Sequence, residues 1–191
     1  MTSAYGYDPR KFKWISFVKS IFDECGLSFI WEDQIPLNRQ LLKSLILQKL
    51  NDQFIQQWFS QMNNSSRGIF YSSFKTEFQL ENYLVRLNSL DRLHMAKFRC
   101  SNLKIPIETG RWTGVPRNER TCNLCNNGIG DEFHYLFLCQ KQEIKFLREK
   151  YIPSYFTINP REYKLTNLLL YCNTELYKNI CNFIRIMSKY L

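Results

Sequence analysis

Apolar side chains recur every three or four residues over several long stretches of the chain, the spacing of one buried helical face. Over residues 8–26 the recurring positions are Trp14, Phe17, Val18, Ile21, Phe22 and Cys25. Pro9 suits a first turn and Gly26 a C-cap, so the spacing predicts a helix there. Residues 27–31 read as a short extended piece. A long helix then begins near Leu37 and Asn38, with Asn38 as N-cap after Pro36. Leu42, Ile46, Leu50, Phe54, Trp58 and Met62 fall every fourth residue, flanked by Leu45, Ile55 and Phe59, and this stripe is expected to pack as core.

A polar break at residues 63–68 marks a boundary between residues 1–63, an N-terminal helical segment, and residues 69–191, a second helical domain. Thr76 with Gln79 resembles a capping box opening a helix through about Leu87. Residues 90–99 form another, with Leu93, Ala96 and Phe98 inward and Arg92, Lys97 and Arg99 partly outward. Pro106, Gly110, Gly114 and Pro116 make residues 101–120 a loop or short strand. Residues 140–151 return to helical spacing until Pro153. A closing helix over 174–191 carries Leu176, Ile180, Phe183, Ile184 and Met187 on one face. The expected fold class is mostly α, a helical domain with a small zinc-stapled hairpin and short helix, knuckle-like with a Cys-Cys-His-Cys set, inserted in the more basic half.

Composition narrows the function. The chain has 191 residues, 45% of them hydrophobic, with 15 Phe, 11 Tyr and 4 Trp, more apolar area than disordered segments carry. No apolar run approaches the roughly 20 residues that span a bilayer, and the polar first residues lack the apolar run of a secretory signal. An intracellular protein of the nucleus or cytoplasm, with no membrane partner, is expected. The formal net charge is +9, unevenly spread: residues 1–90 hold ten basic and eight acidic side chains, residues 91–191 sixteen and nine. Such asymmetry points to a polyanion at one half, against the plainer reading of a charged, soluble surface.

Seven cysteines, an odd number, argue against a disulfide framework. Cys25, Cys100, Cys172 and Cys181 lie scattered in apolar patterns and read as small buried hydrophobes. The other three share a window with a histidine. Cys122, Cys125, His134 and Cys139 follow the pattern C-x2-C-x8-H-x4-C, and four such donors suit one tetrahedral zinc, with iron able to occupy a similar set. Asn126, Asn127, Gly128 and Gly130 let the chain reverse, and Asp131 is a suitable N-cap for a short helix carrying His134 early and Cys139 about a turn later. Four protein ligands leave no open position for water, so the expected zinc is structural, one per chain, within a module over 122–139. The other histidine, His94, stands alone and reads as an ordinary side chain.

The segments over 107–112, 116–122 and 130–135 (Ile-Glu-Thr-Gly-Arg-Trp, Pro-Arg-Asn-Glu-Arg-Thr-Cys and Gly-Asp-Glu-Phe-His-Tyr) resemble a recurrent stretch of non-LTR (LINE-type) retrotransposon polyproteins. There it lies downstream of the reverse transcriptase palm. The resemblance runs from about Trp14 to the C-terminus and is sharpest over 98–139. It implies a post-polymerase, zinc-binding region that helps a reverse transcriptase hold its RNA or target DNA. Polymerases hold two metal ions with paired carboxylates, and no Asp-Asp pair occurs in the chain. No Gly-rich phosphate loop, hydrolase elbow or endonuclease set is present either, so no catalysis is expected.

The candidate nucleic-acid contacts are Arg99, Lys104, Arg111, Trp112, Arg117, Arg120 and Lys141. Seven basic residues against two acidic ones lie between positions 92 and 120, and Trp112 beside Arg111 either stacks on an unpaired base or plugs the core. Binding of this kind to RNA, or to single-stranded or nicked DNA, is salt-sensitive and weakly specific. The alternative is an interaction module in which zinc is scaffolding and the aromatic helices of the first 62 residues dock onto a reverse transcriptase core or another protein.

Overall fold

Residues 13–191 are described by the computed structural model, so the expected helix start at Asp8 and Pro9 lies outside the described residues. The chain divides into two compact units, one ending at Phe59 and one spanning Ser60–Leu191.

In the first unit, α1 (Lys13–Glu24) and α2 (Ser28–Glu32) precede α3 (Arg39–Asn64), whose final turn belongs to the second unit. Residues 28–31, expected to be extended, are helical, with Leu27 as the N-cap. Leu27, Ile30 and Trp31 fit helical spacing as well as a strand, and packing decides: Leu27 and Ile30 are buried with Phe22 and Cys25, and the rings of Phe22 and Trp31 lie 5.9 Å apart. Asn38 caps α3 as expected, its Oδ1 accepting from the Gln40 amide at 2.8 Å. The expected core stripe is only partly covered. Leu42, Leu45 and Ile46 pack against the Phe22 cluster, Met62 is buried, and Leu50 and Phe54 are exposed. A helix of 26 residues is about 39 Å long, while the cluster beneath it in this unit holds four buried side chains. Trp14 and Phe17 are likewise exposed.

The second unit begins with α4 (Gly68–Ser72) and α5 (Asn82–Arg86). The capping box expected at Thr76 does not form, because the Gln79 side chain donates to the Glu77 carboxylate while the Lys75 ammonium takes the Gln79 carbonyl at 2.9 Å. Next come α6 (Ser89–Arg99), capped by Asn88, and α7 (Pro106–Trp112), helical where a loop or strand was expected, with Pro106 in its first turn. A π-turn spans His134–Leu138. A 3-10 turn spans Arg117–Glu119, and the remaining α-helices are α8 (Gln142–Tyr151), α9 (Ser154–Thr157), α10 (Glu162–Leu170) and α11 (Thr174–Met187).

The core gathers around α11, which packs on α6 and α8 and buries Tyr177, Ile180, Cys181, Phe183, Ile184 and Met187. Cys100, expected inside, is exposed. Among the described residues the fold is mostly helical, with a Cys/His cluster in its second unit and no strand beyond an isolated antiparallel bridge between Thr121 and Ile129. No described helix is long and apolar enough to cross a membrane.

Candidate metal centre and the surface beside it

The Thr121–Ile129 bridge opens a hairpin in which the Cys122 amide donates to the Gly128 carbonyl at 3.0 Å and the Gly130 amide to the Arg120 carbonyl at 2.8 Å. At its tip the Asn126 amide donates to the Cys122 carbonyl at 2.9 Å, which turns the Cys-x-x-Cys segment back on itself. Gly128 sits at φ +73°, where a side chain is strained. A Cβ there would also stand 3.5 Å from Nδ1 of His134. Asp131 then caps the incoming helical turn, its Oδ1 accepting from the His134 amide at 2.8 Å.

His134 and Cys139 are five residues apart, which on an α-helix would set them about 140° apart around the axis. The chain instead closes a π-turn, the Cys139 amide donating to the His134 carbonyl at 2.7 Å. The donor atoms of Cys122, Cys125, His134 and Cys139 all lie within 4.8 Å of one another, a group that could hold a metal ion. Sγ of Cys122 lies 3.9 Å from Sγ of Cys139, and Sγ of Cys125 lies 3.3 Å from Nε2 of His134. A disulfide needs its sulfurs about 2.0 Å apart, whereas the edge of a tetrahedron of metal-bound thiolates is about 3.8 Å.

Burial holds His134 below its ordinary value, which favours the neutral imidazole, the form that ligates metal. Burial also pushes the Cys139 thiol up to about 12. At Cys125 burial raises the thiol, but hydrogen bonds at Gln140 and Asn127 and with Cys122 and Cys139 outweigh it, leaving a lowered value.

A residue missed in the sequence frames this cluster. Arg148 of α8 is buried and its guanidinium donates to the carbonyls of Leu136 at 2.9 Å, Tyr135 at 3.3 Å and Cys139 at 3.0 Å. It thereby satisfies carbonyls that the end of the π-turn leaves open. Its sequence signal is its register, one residue after Leu147 and four after Ile144, both buried.

The candidate nucleic-acid contacts separate into three groups. Arg99 is wholly buried and cannot meet a phosphate. Its guanidinium pairs with Glu81, donates to the Leu169 carbonyl at 2.6 Å and lies 4.6 Å from the Phe74 ring centroid and 5.0 Å from that of Tyr83. Arg120 also points inward, Nε donating to the Val115 carbonyl at 2.8 Å and a terminal nitrogen to the Ile107 carbonyl at 2.8 Å. Lys104 and Arg117 are exposed, and Lys141, half-buried, lies 3.6 Å from Glu143. Trp112 is 63% exposed, so it does not plug the core.

Arg111 is half-buried, donating to the Glu108 carboxylate at 2.6 Å and to the Ser66 hydroxyl at 3.4 Å. Glu108 is buried, and burial raises its carboxyl against the pull of Arg111, Arg67, Arg120 and Arg117. Arg111 pairs with this carboxylate directly, and the positive charges of Arg67, Arg120 and Arg117 act on it as well. Arg67 is exposed and belongs to this cluster although it lies in the polar break, far from the others in sequence. No protein-family model matches the chain, and no curated protein or solved structure matches it.

Proposed function

We propose that the chain is a non-catalytic module, stapled by one structural zinc at Cys122, Cys125, His134 and Cys139, that binds the backbone of single-stranded RNA or DNA with little sequence preference. The donor chemistry supports zinc: three sulfurs and an imidazole lie within 4.8 Å of one another, and the separations of 3.9 Å and 3.3 Å are close to the edge of a tetrahedron of metal-bound donors. Zinc supplies folding free energy to the hairpin, and the protein's residues do the binding. The observation that carries the nucleic-acid reading is Arg111, which bonds Glu108 and Ser66 and is followed in sequence by the exposed Trp112, with the charges of Arg67 and Arg117 acting on the same carboxylate. Guanidinium groups match phosphate by their paired donors, and an exposed indole offers a face on which an unpaired base stacks. This is the role that the resemblance to the post-polymerase region of non-LTR retrotransposon proteins implies.

The experiment is a salt titration of fluorescent single-stranded oligonucleotides by anisotropy, beside a metal assay of the purified chain. Affinity falling steeply with salt is expected, and Arg67, Arg111 and Arg117 changed together to Ala should weaken binding and flatten that dependence. Unchanged affinity overturns the reading. A second reading, docking onto a protein partner, is supported by the exposure of Trp14, Phe17, Leu47 and Leu50 in the first unit. A well-behaved monomer in light scattering counts against it.

A further inference from the structure

Arg120 stands two residues before the first cysteine of the cluster, and its backbone and side chain face different parts of the structure. Its carbonyl accepts from Gly130, closing the metal hairpin. Its guanidinium reaches back to the carbonyls of Ile107 and Val115, at the two ends of the segment that carries Arg111 and Trp112. Its aliphatic stem lies across Gly110, where a Cβ would stand 2.7 Å from Cγ and 2.9 Å from Cδ of Arg120. The hairpin and the segment are joined a second time, the Ile107 amide donating to the Gly130 carbonyl at 3.1 Å. The Val115 amide in turn donates to the Gly110 carbonyl at 2.8 Å, closing the turn after α7.

We infer that Arg120 is a positioning residue that clamps residues 106–115 onto the metal hairpin, so that the metal cluster and the surface bearing Arg111 and Trp112 order and disorder as one unit. No member of the Cys/His cluster needs to touch nucleic acid for metal loss to abolish binding. The segment is short; beside the burial of Ile107 in the core and the packing of Pro106 on Gly130, the links just described join α7 to the hairpin, so the hairpin's order helps to hold Trp112 in place. The guanidinium geometry matters as well as the charge, because one fork spans two carbonyls that a lysine ammonium on its flexible stem does not hold together.

The binding part of this inference rests on the nucleic-acid reading above; the clamp itself does not. The test uses the full chain and three variants, Arg120→Ala, Arg120→Lys and Gly110→Ala, the last displacing the arginine stem while keeping its charge. Each is assayed for metal content, for amide exchange over residues 106–115 without nucleic acid, and for binding to a fluorescent single-stranded oligonucleotide. All three should keep one metal per chain, exchange those amides at least tenfold faster, and bind at least tenfold more weakly. Chelation of the metal from the unaltered chain should produce the same faster exchange. Exchange unchanged in Arg120→Ala and Gly110→Ala overturns the clamp. Restoration of both readouts in Arg120→Lys overturns it too, since charge alone then suffices. If the unaltered chain binds no oligonucleotide, the nucleic-acid reading falls, and the exchange data alone decide for or against the clamp.

Discussion

The amide of Cys139 donates to the carbonyl of His134 across 2.7 Å, so two members of the cluster are joined by the closing hydrogen bond of a π-turn. That bond sets both donors on one side of a turn that an α-helix would splay apart. Loss of any one ligand, and with it the metal, should release the turn. Cys125→Ser and His134→Ala are each expected to lose the bound ion and lower the melting temperature by roughly 10 °C or more, since metal-binding free energy is folding free energy in such a module. Differential scanning calorimetry beside metal analysis checks this; an unchanged melt counts against a structural metal.

Arg148 holds three carbonyls at the end of the same turn, with its charge beside a cluster that carries a net negative charge once three thiolates surround a divalent ion. Arg148→Met should weaken zinc by about 10- to 100-fold in competition with a chromogenic chelator. Arg148→Lys, with charge but no fork, should recover part of that loss. Equal affinity in all three proteins would leave Arg148 as core packing only.

Arg99 and Arg117 were expected to act alike, yet one is wholly buried and the other exposed. Arg99→Ala takes the cationic partner from the buried Glu81 carboxylate, which keeps its bond from the Tyr71 hydroxyl, and should cost about 3–5 kcal/mol in urea unfolding, with no change in the salt slope of oligonucleotide binding by the folded fraction. Arg117→Ala should do the reverse, leaving stability within about 0.5 kcal/mol and lowering the slope by about 1.

That contrast marks where sequence reading stops. Periodicity located α1, α3, α6, α8 and α11, because each has a stripe long enough to declare its face, and ligand spacing located the cluster, because Cys-x-x-Cys followed by His and Cys is a local pattern. It could not tell Arg99 from Arg117, since burial of an arginine depends on partners remote in sequence: Glu81 lies 18 positions away and Leu169 lies 70. The helix α2 and the failed capping box at Thr76 are short segments in which tertiary contacts overrule local preference. Arg67 joins the basic cluster only because the fold brings the polar break near Glu108.

Cys172 and Cys181 give the second unit an alkaline limit. Both thiols are buried, and each donates to a backbone carbonyl, Cys172 to Asn167 at 3.5 Å and Cys181 to Asp91 at 3.4 Å. Ionisation would remove both donors inside the core, and burial pushes each thiol from an ordinary 9.0 up to about 12. The folded protein therefore keeps protons that the unfolded chain releases near pH 9. Their contribution is fully present below pH 9 and is lost as pH rises toward 12, by about 1.4 kcal/mol per group for each pH unit in that window. Buried Tyr83 and Tyr177, also raised to about 12 from 10.0, steepen the decline above pH 10. The melting temperature should fall from pH 8 to pH 10.5 in the unaltered protein. Over the same interval it should fall less in a Cys172→Ala, Cys181→Ala double variant, which has no thiols at these positions to ionise in the unfolded chain. Parallel curves for the two proteins would mean that these thiols ionise alike in both states.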